Sequence, residues 1–464
     1  MDDGIILKVE NLSLDFRLRT EILHAVRDVS FELRKGRTLC LVGESGSGKS
    51  VTARTLLHIL DKNATITAGR ILLSNPDGSE TDIVPLTERS PELLRIRGGR
   101  IGLIFQEPMT SLSPVHTIGS QIVEALRLHR RMDKTAARAE AISLLRQVEI
   151  ANAEAMIDRY TFEFSGGMRQ RAMIAMALAC NPDVLIADEP TTALDVTTQA
   201  EILDLIKRLQ QSRGMAMLLI THDMGVVAEV ADEVAVMRYG RIVEAGPVDA
   251  VFHDARHAYT QRLLSSTLRL SDERRSGTHT EGIARSVAPV LEVRNLGKIY
   301  GGRSGMFGSK SLALKAVDDV SLDLYPGENL GIVGESGSGK TTLGRLILRV
   351  VEPTSGTVVY RDREGRQVDV RSLGKAGLRA YHRDVRLVFQ DPFSSLNPRM
   401  TVKDIIGDPL LINGVVSGAA LEARVAELME LVGLDPAAME RYPHAFSGGQ
   451  RQRIGVARAL SLDP

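Results

Sequence analysis

Two stretches of this sequence carry the residue types and spacing of phosphate chemistry. The first is Gly43-Glu44-Ser45-Gly46-Ser47-Gly48-Lys49-Ser50, followed by Val51. Its glycines let successive backbone N–H groups converge on phosphate oxygens, and a following helix N-terminus adds positive potential. Lys49 is then placed to contact β- and γ-phosphates and Ser50 to bind Mg²⁺. The second is Gly334-Glu335-Ser336-Gly337-Ser338-Gly339-Lys340-Thr341, followed by Thr342. One such match would be compatible with an ordinary glycine turn; two, each after an apolar run, weigh against it. Asp188 and Glu189 are adjacent carboxylates behind the apolar run Val184-Leu185-Ile186-Ala187. Asp188 is placed to hold Mg²⁺ through its water shell, and Glu189 to orient or deprotonate an attacking water. His222 follows a third apolar run, Ala216 to Ile220, within reach of a γ-phosphate.

These residues need elements to hold them. Thr38-Leu39-Cys40-Leu41-Val42 reads as a buried parallel strand feeding the first loop, and Val51 to Leu60 as the helix leaving it. In the second copy Leu343, Leu346, Ile347 and Val350 fall on one helical face. The acidic pair sits at the C-terminal end of its strand, the edge where ligands bind in open parallel sheets. The expected fold is therefore α/β.

The chain also repeats itself. The glycine loop returns at an offset of 334 − 43 = 291, Phe105-Gln106 returns as Phe389-Gln390 at 284, and Phe164-Ser165-Gly166-Gly167-Met168 returns as Phe446-Ser447-Gly448-Gly449-Gln450 at 282. Matched blocks in one order indicate a tandem duplication. The drift in offset places an insertion before the second loop, with Gly301 to Lys310 as the candidate, read as a surface loop. The expected organisation is a first domain over 1–265, a polar Ser/Gly/Thr-rich linker over 266–289, and a second domain over 290–464. Leu178 to Pro182 aligns with Leu460 to Pro464, so the counterparts of Asp188, Glu189 and His222 lie past the last residue. The second copy reads as cut short, with the full protein expected to continue beyond Pro464. Without the strands that follow, its sheet is expected to expose apolar surface.

On these motifs the chain resembles the ATP-binding cassette ATPases, and within them the ATP-binding subunits of bacterial oligopeptide, dipeptide and glutathione importers. The resemblance runs through essentially the whole chain. Ser165-Gly166-Gly167-Met168 and Ser447-Gly448-Gly449-Gln450 look like the family's signature motif, Met168 standing where the family usually has Gln. Gln106 and Gln390 look like its Q-loop glutamines, implied as metal contacts, and Thr192 to Asp195 looks like its D-loop. Phe16 and Tyr300 lie 27 and 34 residues before their glycine loops, where the family places an aromatic that stacks on adenine; core packing is the alternative. His257-Ala258-Tyr259-Thr260 with Leu263-Leu264 resembles the tail of peptide-type importers.

The resemblance implies two tandem phosphate-loop domains, each with a mixed or parallel sheet, a small antiparallel subdomain and a helical subdomain, the second incomplete. It also implies Mg²⁺-dependent ATP hydrolysis. Two cassettes close head to tail, each ATP lying between one glycine loop and the other's signature. One such site combines Phe16, Gly43 to Ser50, Gln106, Asp188, Glu189 and His222 with Ser447 to Gln450. The other combines Tyr300, Gly334 to Thr341 and Gln390 with Ser165 to Met168; lacking both acids and the histidine, it is expected to bind nucleotide without hydrolysing it. Two transmembrane permease subunits, a periplasmic solute-binding protein acting indirectly, and a peripheral place on the cytoplasmic face of a bacterial inner membrane follow from the same resemblance.

Composition agrees. The 464 residues are 43% hydrophobic and 25% charged, with 58 basic and 58 acidic side chains, which gives nucleic acid no basic surplus to bind. Cys40 and Cys180 are too few for a disulfide scaffold, and suit a reducing compartment. The longest apolar run, Ala172 to Cys180, is nine residues against the roughly 18 a spanning helix needs. The reading is a cytosolic chain whose membrane role runs through partners. Arg127 to Arg138 reads as the solvated face of one helix, and Met168, Met173 and Met176 as core packing. His253 and His257, four apart, would share a helical face, but no third metal ligand accompanies them. A soluble tandem cassette acting on the ribosome is the alternative, disfavoured by a short Ser/Gly-rich linker and balanced charge. A DNA-repair ATPase ranks after it.

Overall fold

The computed structural model describes residues 4–18, 21–106, 111–192, 194–265, 288–301, 313–335, 337–390 and 395–464. The chain divides into two units, Met1–Arg275 and Ser276–Pro464. The expected linker, apart from its last two residues, and all but the first residue of the expected insertion lie outside the described residues, as do Ala193 and Ser336.

The first unit is organised by a six-stranded sheet. Strands β3 (Thr38–Val42), β6 (Ile101–Ile104), β7 (Val184–Asp188), β8 (Ala216–Thr221), β9 (Glu233–Arg238) and β10 (Arg241–Pro247) stand in the order β10-β9-β3-β8-β7-β6. All neighbours run parallel except β10 against β9. β3, β7 and β8 are buried along their whole length, which explains why they read as unbroken apolar runs and not as alternating ones. Successive side chains still point to opposite faces. Cys40, Val42, Leu185, Ala187 and Leu219 face a layer of helices that includes Ile118–Arg130, Lys134–Gln147, Gly166–Leu178 and Val196–Arg213. Leu39, Leu41, Ile186, Leu218 and Ile220 face the other layer. That layer holds the Lys49–Thr55 helix and an antiparallel sheet of β1 (Ile5–Arg17), β2 (Ile22–Arg34), β4 (Ala64–Ser74) and β5 (Glu80–Asp82), ordered β2-β1-β4-β5.

The second unit is built differently. Strands β11 (Leu291–Tyr300), β12 (Leu314–Leu324), β13 (Ser355–Arg361) and β14 (Gln367–Asp369) form an antiparallel sheet ordered β12-β11-β13-β14. Helices Val402–Ile412, Ala419–Leu431 and Gly448–Leu460 enclose a separate core around Ile406, Val425, Leu428 and Ile454. Among the described residues there is no parallel sheet here, which corrects the expectation of one in each copy. Residues 328–335, the counterpart of β3, take no strand conformation, and Leu330, Ile332 and Val333 are 44%, 45% and 91% exposed. Leu387 and Val388, in the counterpart of β6, are exposed too. The cause is a missing set of neighbours. β3 pairs with β8 and β9, whereas among the described residues no strand pairs with 328–335. An apolar sequence without partners for its N–H and C=O groups does not make a strand.

Three local expectations also need correction. The helix after the first loop runs only Lys49–Thr55, because the chain turns at Leu56 to His58, where His58 adopts φ 52°. The second ends at Ile347, leaving Val350 64% exposed behind a left-handed Arg349. Arg127 to Arg138 spans two helices, not one, broken at a left-handed Arg131; Arg130 pairs with Glu140 at 2.9 Å and Arg138 with Asp158 at 2.7 Å.

Candidate functional site

The first glycine loop leaves β3 at its C-terminal end, so the parallel sheet delivers it to the same edge as the ends of β6, β7 and β8. Gln106 follows β6, Asp188 and Glu189 end β7, and His222 follows β8. Four separate parts of the sequence thus meet along one edge.

Within the loop, glycine is needed where the backbone turns hardest. Gly43 has φ 148°, and a Cβ there would lie 2.2 Å from the Met237 carbonyl oxygen. Gly48 has φ 105°, with the Ala25 carbonyl oxygen 2.6 Å from the same imagined atom. The Lys49 ammonium curls back into the loop, donating to the carbonyls of Gly43 at 2.7 Å and Glu44 at 2.9 Å. Burial pushes its pKa down, against the pull of Glu189 and Asp188. A buried ammonium satisfied by two carbonyls and, at 3.4 Å, the Ser47 hydroxyl is ready to exchange them for anionic oxygens. Glu44, Ser45 and Gly46 are exposed at the loop's crest, whereas Gly43 and Ser47 are buried and Gly48 and Val51 half-buried.

The Ser50 hydroxyl donates to Asp188 Oδ1 at 2.8 Å. Asp188 is 3% exposed, and burial raises its pKa against the stabilising Ser50 bond. Next to it, Glu189 adopts φ 45°, a left-handed conformation uncommon for a non-glycine residue and typical of constrained sites. Its carboxylate gathers three partners. Oε2 accepts from Gln106 Nε2 and from the Thr192 hydroxyl, each at 2.9 Å, and Oε1 lies 3.2 Å from His222 Nδ1. Burial pushes Glu189 up, but the hydrogen bonds from His222 and Thr192 outweigh it and hold the carboxyl below its ordinary range. His222, exposed, is raised chiefly by its bond to Glu189. At neutral pH Glu189 is therefore an ionised, oriented carboxylate beside a histidine inclined to hold a proton.

The signature-like segments are helix N-termini. The Ser165 hydroxyl caps Gly166–Leu178 by accepting from Met168 N–H at 3.3 Å. Ser447 does the same with Gln450 N–H, and Gln450 Oε1 returns the bond by accepting from Ser447 N–H at 3.0 Å, completing a capping box. Met168 has no group that could return that bond. Gly167 would place a Cβ 3.0 Å from Thr198, while Gly449 faces open space. Met173 is buried in the core, with Met168 and Met176 packed partly against it.

The remaining expected residues fall as follows. Phe16 is half-buried at the end of β1, packed against the apolar layer beneath the antiparallel sheet. Tyr300 is 42% exposed at the end of β11, with the Lys298 ammonium 5.1 Å above its ring. In the second loop Lys340 donates to the carbonyls of Gly334 at 2.7 Å and Glu335 at 2.6 Å, the same internal pattern as Lys49. There, however, Gly334, Glu335, Gly337, Ser338, Thr341 and Gln390 are exposed, and Gly339, Lys340 and Thr342 only half-buried. The loop keeps its shape without a sheet beneath it. His253 ends the Val248–His253 helix and His257 precedes the next one, so the shared helical face does not exist. No cluster of three metal-ligating side chains occurs among the described residues. Two contacts escaped the sequence reading: the Thr192 hydroxyl on Glu189, and the Tyr259 hydroxyl, which accepts from Glu44 N–H at 2.9 Å across 215 residues.

Comparison with known proteins follows the same lines. A family model for ABC transporters matches residues 26–192 and 317–464, and one for the oligopeptide/dipeptide transporter C-terminal region matches 243–303. The glutathione import ATP-binding protein of Shigella dysenteriae serotype 1 (strain Sd197) is 48% identical over 100% of this chain and 76% of its own length. Its counterpart in Escherichia coli (strain K12) is 47% identical with the same coverage.

Proposed function

This chain belongs to the ABC transporter family of ATP-binding proteins, in the oligopeptide, dipeptide and glutathione importer group, and from that premise we propose how its first unit hydrolyses ATP and what that hydrolysis drives. As the ATPase subunit of a bacterial importer it acts with membrane permeases. No helix among the described residues is long and apolar enough to cross a membrane. The ribosomal alternative has no support in these relatives.

One observation carries the mechanism: Glu189 gathers Gln106, Thr192 and His222 at the sheet edge that also presents the glycine loop and Asp188. Ser50, Asp188 and the Gln106 amide oxygen are the hard oxygen donors a small divalent cation requires, and a buried carboxylate held above its ordinary range suits one. Mg²⁺, when bound there, supplies positive charge against the triphosphate. Lys49 trades its loop carbonyls for β- and γ-phosphate oxygens, and the loop amides from Ser45 to Ser50 close around them. Glu189 orients the attacking water and takes its proton, with Gln106 and Thr192 fixing the carboxylate. His222 holds a proton toward the γ-phosphate. Phe16 and Tyr300 are the candidate adenine platforms. Ser165 to Met168 and Ser447 to Gln450 are proposed phosphate contacts offered to an opposing cassette. Thr341, with Gln390, repeats the metal-binding role of Ser50 and Gln106.

The proposed cargo is glutathione or a short peptide, delivered by a periplasmic solute-binding protein to two permease subunits, with this chain on the cytoplasmic face. The test is reconstitution of the encoded protein with its permeases in liposomes, adding labelled glutathione and labelled dipeptides. ATP-dependent accumulation that disappears in Lys49→Ala is expected. ATP turnover indifferent to the permeases and to the solute-loaded binding protein would overturn the importer assignment for this chain.

A further inference from the structure

The helix after the first cassette is tied into the glycine loop, and nothing in the mechanism above uses it. Tyr259 lies in the Ala258–Ser265 helix and is 2% exposed. Its hydroxyl accepts from the Glu44 N–H at 2.9 Å. The ring is clasped by Arg238 at the end of β9, whose guanidinium carbon lies 4.7 Å from the ring centroid. The approach to this helix is also fixed. Glu244 Oε1 accepts from Arg256 N–H at 2.7 Å and Oε2 from His257 N–H at 3.2 Å, and His257 Nδ1 accepts from Tyr259 N–H at 3.1 Å. Glu244 and His257 thus fix the start of the helix that carries Tyr259.

The other side of the loop is held as well. Gly240 N–H, in the turn between β9 and β10, donates to the Ser47 carbonyl at 3.0 Å. Two hydrogen bonds from outside the loop therefore bracket its exposed crest, one at Glu44 and one at Ser47. The Glu44 bond is the only one of the two that comes from beyond the cassette's sheet.

We propose that Tyr259 is a positioning residue: its hydroxyl pins the Glu44 amide and so preforms the glycine loop for the β- and γ-phosphates. Docking of the tail helix thereby sets how tightly the cassette takes nucleotide. The inference rests on the reading of this loop as the ATP site. A pinned loop has less ordering left to do when phosphate arrives, so the effect falls on binding and leaves the proton transfer at Glu189 alone.

The experiment compares the intact protein with Tyr259→Phe, which keeps the ring on Arg238 and removes only the hydroxyl, in a Lys340→Ala background that silences the second loop. KM for ATP should rise about threefold to tenfold, the size of one lost neutral hydrogen bond, while kcat and the melting temperature stay unchanged. Hydrogen exchange in the peptide covering Glu44 should quicken. An unchanged KM, or a loss appearing in melting temperature or kcat instead, overturns the proposal. Lys49→Ala separates the two readings. If it abolishes ATP binding while Tyr259→Phe does nothing, only the positioning role falls; if it leaves binding intact, the nucleotide site itself has been misassigned.

Discussion

Replacing Glu189 by Gln removes one charge and leaves the shape of the site almost intact. The amide oxygen can occupy the position of Oε2 and still accept from Gln106 Nε2 and the Thr192 hydroxyl, now both at 2.9 Å. Its NH₂ then faces His222 Nδ1, at present 3.2 Å from Oε1, which as a neutral imidazole protonated on Nε2 can accept. No buried polar atom is orphaned, so stability should move by no more than about 1 kcal/mol. Catalysis should not survive so well. A neutral amide cannot take a proton from water, and loss of a general base costs about 10²–10⁴ in rate, or roughly 3–5 kcal/mol of barrier. ATP binding should persist or tighten, because a negative charge near the incoming triphosphate has gone. Phosphate release at saturating ATP, paired with calorimetric titration of ATP into the variant, reads both quantities. A variant turning over within tenfold of the parent, or one that loses binding together with turnover, refutes the role given to Glu189.

Other perturbations follow from the same geometry. Asp188→Asn should abolish turnover yet raise the melting temperature at pH 8; burial lifts the Asp188 pKa above its unfolded value, so the ionised group costs stability once pH passes that unfolded value. A thermal melt at pH 8 no higher than the parent's rejects that sign. His222 has the opposite behaviour: its raised pKa means the pair with Glu189 adds stability that is complete below the ordinary histidine value and fades as pH rises through the raised one. At 64% side-chain exposure that contribution should stay under about 1 kcal/mol, so the melting penalty of His222→Ala should be small at pH 6 and vanish by pH 9. Gly43→Ala should cost about 3 kcal/mol in denaturant unfolding and remove nucleotide binding, since its Cβ meets the Met237 carbonyl at 2.2 Å. For these 464 residues, calorimetry should find ATP much tighter at the first loop than the second, and Lys340→Ala should leave the tight phase untouched.

What the sequence disclosed and what it hid divide along the range of the interactions involved. Gly43 to Ser50, Asp188 and Glu189 were legible because local backbone demands and short apolar runs write themselves as pattern. Their meeting at one sheet edge followed from the rule for parallel strands. The Tyr259–Glu44 bond spans 215 residues and leaves no trace in composition or periodicity. Leu330 to Val333 looks as strand-like as Leu39 to Val42, but a strand is a property of pairs, and among the described residues no strand pairs with the second segment. Periodicity likewise carried the two loop helices too far, past His58 and Arg349, where single left-handed residues end them.

The central position of β3 has a consequence for how the first unit comes into being. That strand leaves the ribosome early, at residues 38–42, but its neighbours β8 and β9 are completed only at Arg238. At about 5–20 residues per second, roughly 10–40 s pass before both flanks can close. During that interval β1 and β2, antiparallel neighbours within the first 34 residues, are free to pair. The middle of the sheet has to wait, a greasy ribbon with no strand on either side of it. The nascent chain is thus a natural client for holding factors, and a synthesis pause before Arg238 should be felt in yield long before it is felt in activity.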